Sequence, residues 1–176
     1  MVRKSQLGFT LIEILVVMAI LAILSAIGIG SFQSSQQKAR DSERKSSFKQ
    51  IGIALETYYN DYSQYPTGSG GDIYGCGVDG IEACTWGSSF NDDKGTVYMV
   101  ELPDDQRVGR SFYYESDGSY WQLYASLEND LDIDVPKDAS GNPQFYSGTT
   151  CQVGVCNYGV SSANITVESG HPLVTE

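Results

Sequence analysis

Hydrophobic positions follow three successive patterns along this chain. Residues 9–32 are almost continuously apolar: from Ile14 to Ile29 only Ser25 and Gly28 are not aliphatic, Met or Ala, and Glu13 is the one charge in the run. At the rise of an α-helix these residues cover ~36 Å, enough for the hydrocarbon layer of a bilayer. From Phe48 the pattern narrows to a stripe. Phe48, Ile51, Leu55, Tyr58 or Tyr59, and Tyr62 recur at three- and four-residue steps, one face of an amphipathic helix. That helix should stop before Pro66, because the residue preceding proline is driven out of the α region and Gly68-Ser69-Gly70-Gly71 follows. Beyond it, aromatic clusters are separated by Gly, Asp and Pro. A strand is expected over 96–101, a hairpin from 111–115 through Asp117-Gly118 to 120–127, and a turn at Gly141-Asn142-Pro143-Gln144 into Phe145-Tyr146.

These patterns predict an α+β protein: a long N-terminal helix, transmembrane in its first half, packed on a small antiparallel β-sheet head. Charge sharpens the division. The chain of 176 residues has a net charge of −11, but residues 1–32 and 33–62 each carry +1 and residues 63–176 carry −13. The acidity is thus a property of the head, and it argues against a surface built to neutralise phosphates, so direct nucleic-acid binding is not expected.

Arg3 and Lys4 precede the apolar run and, by the positive-inside rule, leave everything after it outside the cytoplasm. A removable secretory signal would share this plan, with Ala26-Ile27-Gly28 as its cleavage site. Glu13 speaks against that reading. A carboxylate inside a membrane helix costs about 2.5–3.5 kcal/mol on insertion scales and has no purpose in a plain signal.

The segment Gly8-Phe9-Thr10-Leu11-Ile12-Glu13, with a short basic leader before it and an unbroken apolar run after it, resembles the N-terminal signature of the type IV pilins and pseudopilins. The resemblance implies four segments: a leader, 1–8, removed by a prepilin peptidase; a transmembrane or filament-core helix, 9–32; the amphipathic half of the same helix, 33–65; and an extracytoplasmic β-rich head, 66–176. It also implies cleavage between Gly8 and Phe9, N-methylation of Phe9, and a requirement for Glu13 in assembly. Elementary electrostatics supports the last role: an apolar layer holding a new Phe9 amine and the Glu13 carboxylate is relieved when the charges of neighbouring subunits pair. Gly30 stands where many relatives carry a helix-kinking proline, and with Gly28 it weakens the helix there by about 1 kcal/mol per glycine. The Gly141-Asn142-Pro143 turn and its aromatic strand resemble a segment of the major pseudopilins.

Outside the cytoplasm, Cys76, Cys84, Cys151 and Cys156 are expected as two disulfides. Three connectivities exist, and Cys76–Cys84 with Cys151–Cys156 closes the shortest loops. Residues 128–134 hold Glu128, Asp130, Asp132 and Asp134. Asp130, Asp132 and Asp134 suit a Ca²⁺ ion by ligand type, although the EF-hand glycine and terminal glutamate are missing; the alternative is an acidic solvated loop. No other cofactor is expected. Asn164-Ile165-Thr166 fits the N-glycosylation sequon. Lys38, Arg40, Asp41, Glu43, Arg44 and Lys45 read as a solvated stretch of helix. With His171 as the sole histidine and no nucleophile beside a base, an enzyme is not expected.

The function implied is that of a type IV pilus subunit. It would reside singly spanning the cytoplasmic (inner) membrane before assembly and in an extracellular filament afterwards. Its partners would be copies of itself, the prepilin peptidase, and an inner-membrane assembly platform with a motor ATPase. A pseudopilin of a type II secretion system is the alternative, and a membrane-tethered extracytoplasmic binding module the third reading.

Overall fold

The computed structural model describes residues 8–77, 79–152 and 154–175, the side chains of residues 27, 28, 30 and 31 excepted. The expected leader therefore lies outside the described residues except for Gly8. One helix, α1 (Leu11–Tyr62), carries both apolar patterns. It ends where Ser63 enters the left-handed region (φ +56°), with the Ser63 amide bonded back to the Tyr59 carbonyl at 2.7 Å. This close terminates the helix without a glycine, three residues before Pro66.

Two compact units divide the chain, Met1–Ala39 and Arg40–Glu176. In the first, the apolar side chains of α1 meet solvent: Leu11 and Ile12 are 83% and 69% exposed, and Met18 and Ile23 are 63% exposed. Among the described residues no helix is long and apolar enough to cross a membrane. The span expected at 9–32 includes the four residues whose side chains lie outside the description.

The described residues of the second unit gather ten short strands around residues 48–58 of α1. Strands β1 (Gly68–Ser69), β2 (Asp72–Cys76) and β3 (Glu82–Cys84) form one antiparallel sheet, and β4 (Phe90–Asn91) pairs with β5 (Val97–Met99). The central sheet has the order β6-β7-β9, from β6 (Tyr113–Glu115), β7 (Gln122–Ala125) and β9 (Tyr158–Ser161). Its register sets Tyr114 opposite Leu123 and Leu123 opposite Val160. Last, β8 (Phe145–Tyr146) pairs with β10 (Leu173–Val174).

The predicted hairpin is present, but Asp117-Gly118 does not turn it in two residues. The connection runs over 116–121, because its carbonyls have other work: Ser116 O accepts the Gly68 amide at 2.9 Å and Gly118 O accepts the Tyr65 amide at 2.8 Å. The loop thereby fastens the chain leaving α1 to the central sheet.

The helix stripe is buried as its periodicity predicts. Phe48, Ile51, Leu55 and Tyr58 are at most 7% exposed, whereas Tyr59, one step round the helix, is 41% exposed. Phe48 meets Phe112 edge-on with ring centroids 4.9 Å apart, and Tyr58 stacks on Phe90 at 5.7 Å. The aromatic clusters of the head are therefore core rather than a ligand platform. Gly159 is required in β9, since a Cβ there would lie 2.9 Å from the Tyr124 ring.

Candidate functional site

At the N-terminus, Thr10 and Glu13 form a reciprocal cap. Glu13 Oε2 accepts the Thr10 amide at 2.8 Å and the Thr10 hydroxyl at 2.6 Å, while the Glu13 amide donates to Thr10 Oγ1 at 3.4 Å. Thr10 is thus the N-cap and Glu13 the third helical residue, an arrangement that satisfies otherwise orphaned amides and sets the carboxylate at the positive end of the helix dipole. The Thr-x-x-Glu spacing was available in the sequence as a capping signal. Gly8 and Phe9 precede the helix, and Phe9 is 85% exposed.

A second constellation stands where the compact unit of the head begins. Arg44 is only 3% exposed, and its guanidinium is held on several sides. Nε and Nη2 grip both oxygens of Asp105 at 2.7 and 2.8 Å; Nη1 donates to Asp41 at 2.7 Å, and Nη2 also reaches Glu128 at 3.0 Å. Arg40 forks onto Glu128 at 2.8 and 2.6 Å, and Arg107 donates to the same carboxylate at 3.1 Å. Asp41 in turn accepts the backbone amides of Glu128 and Asn129, both at 2.9 Å. The hydrogen bond from Arg40 pulls the Glu128 carboxyl down to about 2, against burial and with further help from Arg44. Burial works against the Arg44 charge, but its hydrogen bonds to Asp105, Glu128 and Asp41 outweigh it and raise its pKa.

This network corrects the expectation that the charged segment of the helix is simply solvated: Asp41 and Arg44 are buried. Its partners Asp105 and Glu128 lie 61 and 84 residues beyond Arg44, a separation at which helical periodicity carries no signal.

Around the acidic run, Lys45 Nζ donates to Asp132 at 2.5 Å and to Asp134 at 2.6 Å. Hydrogen bonds from Lys45 hold the Asp132 carboxyl below its ordinary range even though burial acts first in the other direction. Asp132 and Asp134, two of the three carboxylates considered for calcium, are thus engaged by one ammonium group. Among the described residues no three potential ligands come together as a metal would need. Leu131 and Ile133, between the three carboxylates, are 87% and 92% exposed.

Cys76 is bonded to Cys84 and Cys151 to Cys156. The first bridge joins β2 to β3; the second closes a loop beside β8, whose Tyr146 amide bonds the Cys156 carbonyl at 2.8 Å. Both amide atoms of Asn164, the sequon residue, are engaged, Nδ2 with Ser119 O and Oδ1 with Ser162 Oγ.

Residues 3–29 match the family model of the prokaryotic N-terminal methylation motif. A type II secretion system core protein G of Pseudomonas aeruginosa is 42% identical over 67 residues, 38% of this chain and 47% of that protein. The type IV major pilin protein PilA of Myxococcus xanthus is 38% identical over 58 residues, 33% of this chain and 26% of the pilin. Prepilin peptidase-dependent protein D of Escherichia coli is 41% identical over 95 residues, 54% of this chain and 63% of that protein. The chain thus spans less than two thirds of the length of each of these relatives. No solved structure gives a match.

Proposed function

We propose, on the premise that its N-terminal region belongs to the type IV pilin and pseudopilin family, that this chain is a filament subunit with a structural rather than enzymatic role. A prepilin peptidase cuts between Gly8 and Phe9, and the new Phe9 amine is methylated. Residues 9–32 hold the subunit in the cytoplasmic membrane, with the head outside, until an assembly platform and its motor ATPase move it into an extracellular type IV pilus. There the Phe9 amine of one subunit pairs with Glu13 of the next, and the disulfide-closed head forms the outer surface.

One observation carries this reading: Glu13 is the single carboxylate of residues 9–32, five residues after Gly8, at the head of a helix whose aliphatic side chains from Leu11 to Leu24 are 49–83% exposed. Apolar surface left open over so many turns requires lipid or identical neighbours. Mass spectrometry of the mature protein tests it. A chain beginning at methylated Phe9 is the expected product; an intact Met1, or a start near residue 29, would overturn the proposal.

A type II secretion pseudopilin is the second reading, favoured by the similarity to core protein G. Electron microscopy separates the two, since a pilus subunit yields filaments on the cell surface that vanish when the gene is deleted.

A further inference from the structure

His171, the sole histidine, is 7% exposed and stands two residues before β10. Its Nδ1 lies 2.8 Å from the Ser147 carbonyl oxygen, and its Nε2 lies 2.7 Å from Glu115 Oε2. A carbonyl oxygen can only accept, so the hydrogen of a neutral ring must sit on Nδ1. Nε2 would then present a bare lone pair to an ionised carboxylate, two acceptors with no hydrogen between them. Both contacts close together only when the pair holds one proton more than a neutral imidazole beside an ionised carboxylate. The Glu115 side chain is 37% exposed, which keeps its anion hydrated and leaves the extra proton on the ring.

The surroundings favour that charge. Tyr113 of β6 and Tyr124 of β7 face the ring edge-on, at centroid distances of 6.4 and 5.2 Å. The Tyr124 hydroxyl donates to the Val167 carbonyl, and its titration is pushed up first by burial and then by Glu115, so it stays neutral. Glu168 accepts the His171 amide through its carbonyl, and its carboxylate acts on the same tyrosine. Among the described residues no cation contacts the ring.

We propose that His171 and Glu115 form a proton-gated latch. Closed, it fastens the C-terminal segment, and through it the β8–β10 pair beside the Cys151–Cys156 loop, onto the edge of the central sheet at β6. Because Nε2 needs a hydrogen to meet the Glu115 carboxylate, the latch is complete when the ring carries both hydrogens and loses the Glu115 contact when the ring gives one up. The Ser147 amide reports its state directly, since it donates to the Pro172 carbonyl at 3.1 Å, next to the histidine. The latch does not depend on the filament reading.

The test uses the full chain in detergent micelles. Nitrogen-15 NMR of the His171 ring should show both nitrogens protonated on the acid side of its titration and hydrogen retained on Nδ1 on the alkaline side. Over the same range the protection factor of the Ser147 amide, corrected for intrinsic exchange, should fall about tenfold or more, the loss of one charge-assisted hydrogen bond. In Glu115→Gln the carboxamide can donate to the bare Nε2, so the pH-dependent fall should disappear. A neutral ring with its hydrogen on Nε2, or a fall in protection that persists unchanged in Glu115→Gln, would overturn the latch.

Discussion

The two compact units of this protein treat the same two ingredients, aliphatic side chains and charge, in opposite ways. In residues 40–176 the large apolar residues close on one another until Ile51, Leu55, Ile73 and Leu123 are fully covered, and buried charges are matched within the chain around Arg44. In residues 8–39 the described aliphatic side chains of the helix remain exposed, and among the described residues Glu13 finds only Thr10. A region that satisfies its own groups is stable by itself. A region that does not is written for an environment it has yet to enter.

Five experiments sharpen that contrast or break it. The largest effect is expected from Glu13→Ala, which should abolish filaments in pelleting and microscopy assays while the thermal unfolding of the head moves by no more than about 0.5 kcal/mol. Normal filaments from this variant would sink the proposed role of Glu13. In the head, Arg44→Met should destabilise by about 3–5 kcal/mol, because Asp41, Asp105 and Glu128 would be left buried without their shared cation. Urea unfolding measures this, and a change below about 1 kcal/mol would mean the network is not where the head holds its helix.

A smaller loss is expected from acid. The Glu128 carboxyl titrates lower folded than unfolded, so its stabilising effect is present above about 4.3 and is lost as pH falls toward about 2. Unfolding midpoints at pH 7, 4 and 2.5 should fall in that order, with a shallower decline in Glu128→Gln. Lys45→Met should matter least, at most about 1 kcal/mol, as a partly exposed pair warrants. Millimolar calcium should leave the wild-type melting temperature unchanged.

What could be read in the sequence was what depends on neighbours along it. The stripe Phe48, Ile51, Leu55, Tyr58 is a periodicity, and the 113–125 hairpin is two aromatic runs flanking a turn signal; both are present. The first sheet leaves no such signal, because β1, β2 and β3 are two to five residues long and Gly75 interrupts β2, too short for alternation to register. The charge network leaves no trace in the sequence for a different reason. Arg44 looks like any surface arginine until Asp105 and Glu128 are brought to it by the fold, and spacing within the helix cannot foresee that.

The cap at Thr10 bears on how such a subunit could join its neighbours. Both bonds from Thr10 end on the same oxygen, Glu13 Oε2, and Oε1 has no partner among the described residues. A carboxylate has two faces to offer, and here the helix's own first turn occupies only one. The amine of an incoming neighbour could therefore dock on Oε1 without displacing Thr10, so joining the polymer would not require the helix end to fray. The subunit would arrive with its acceptor already oriented, and the hydroxyl holding it in place would serve the single chain and the fibre alike.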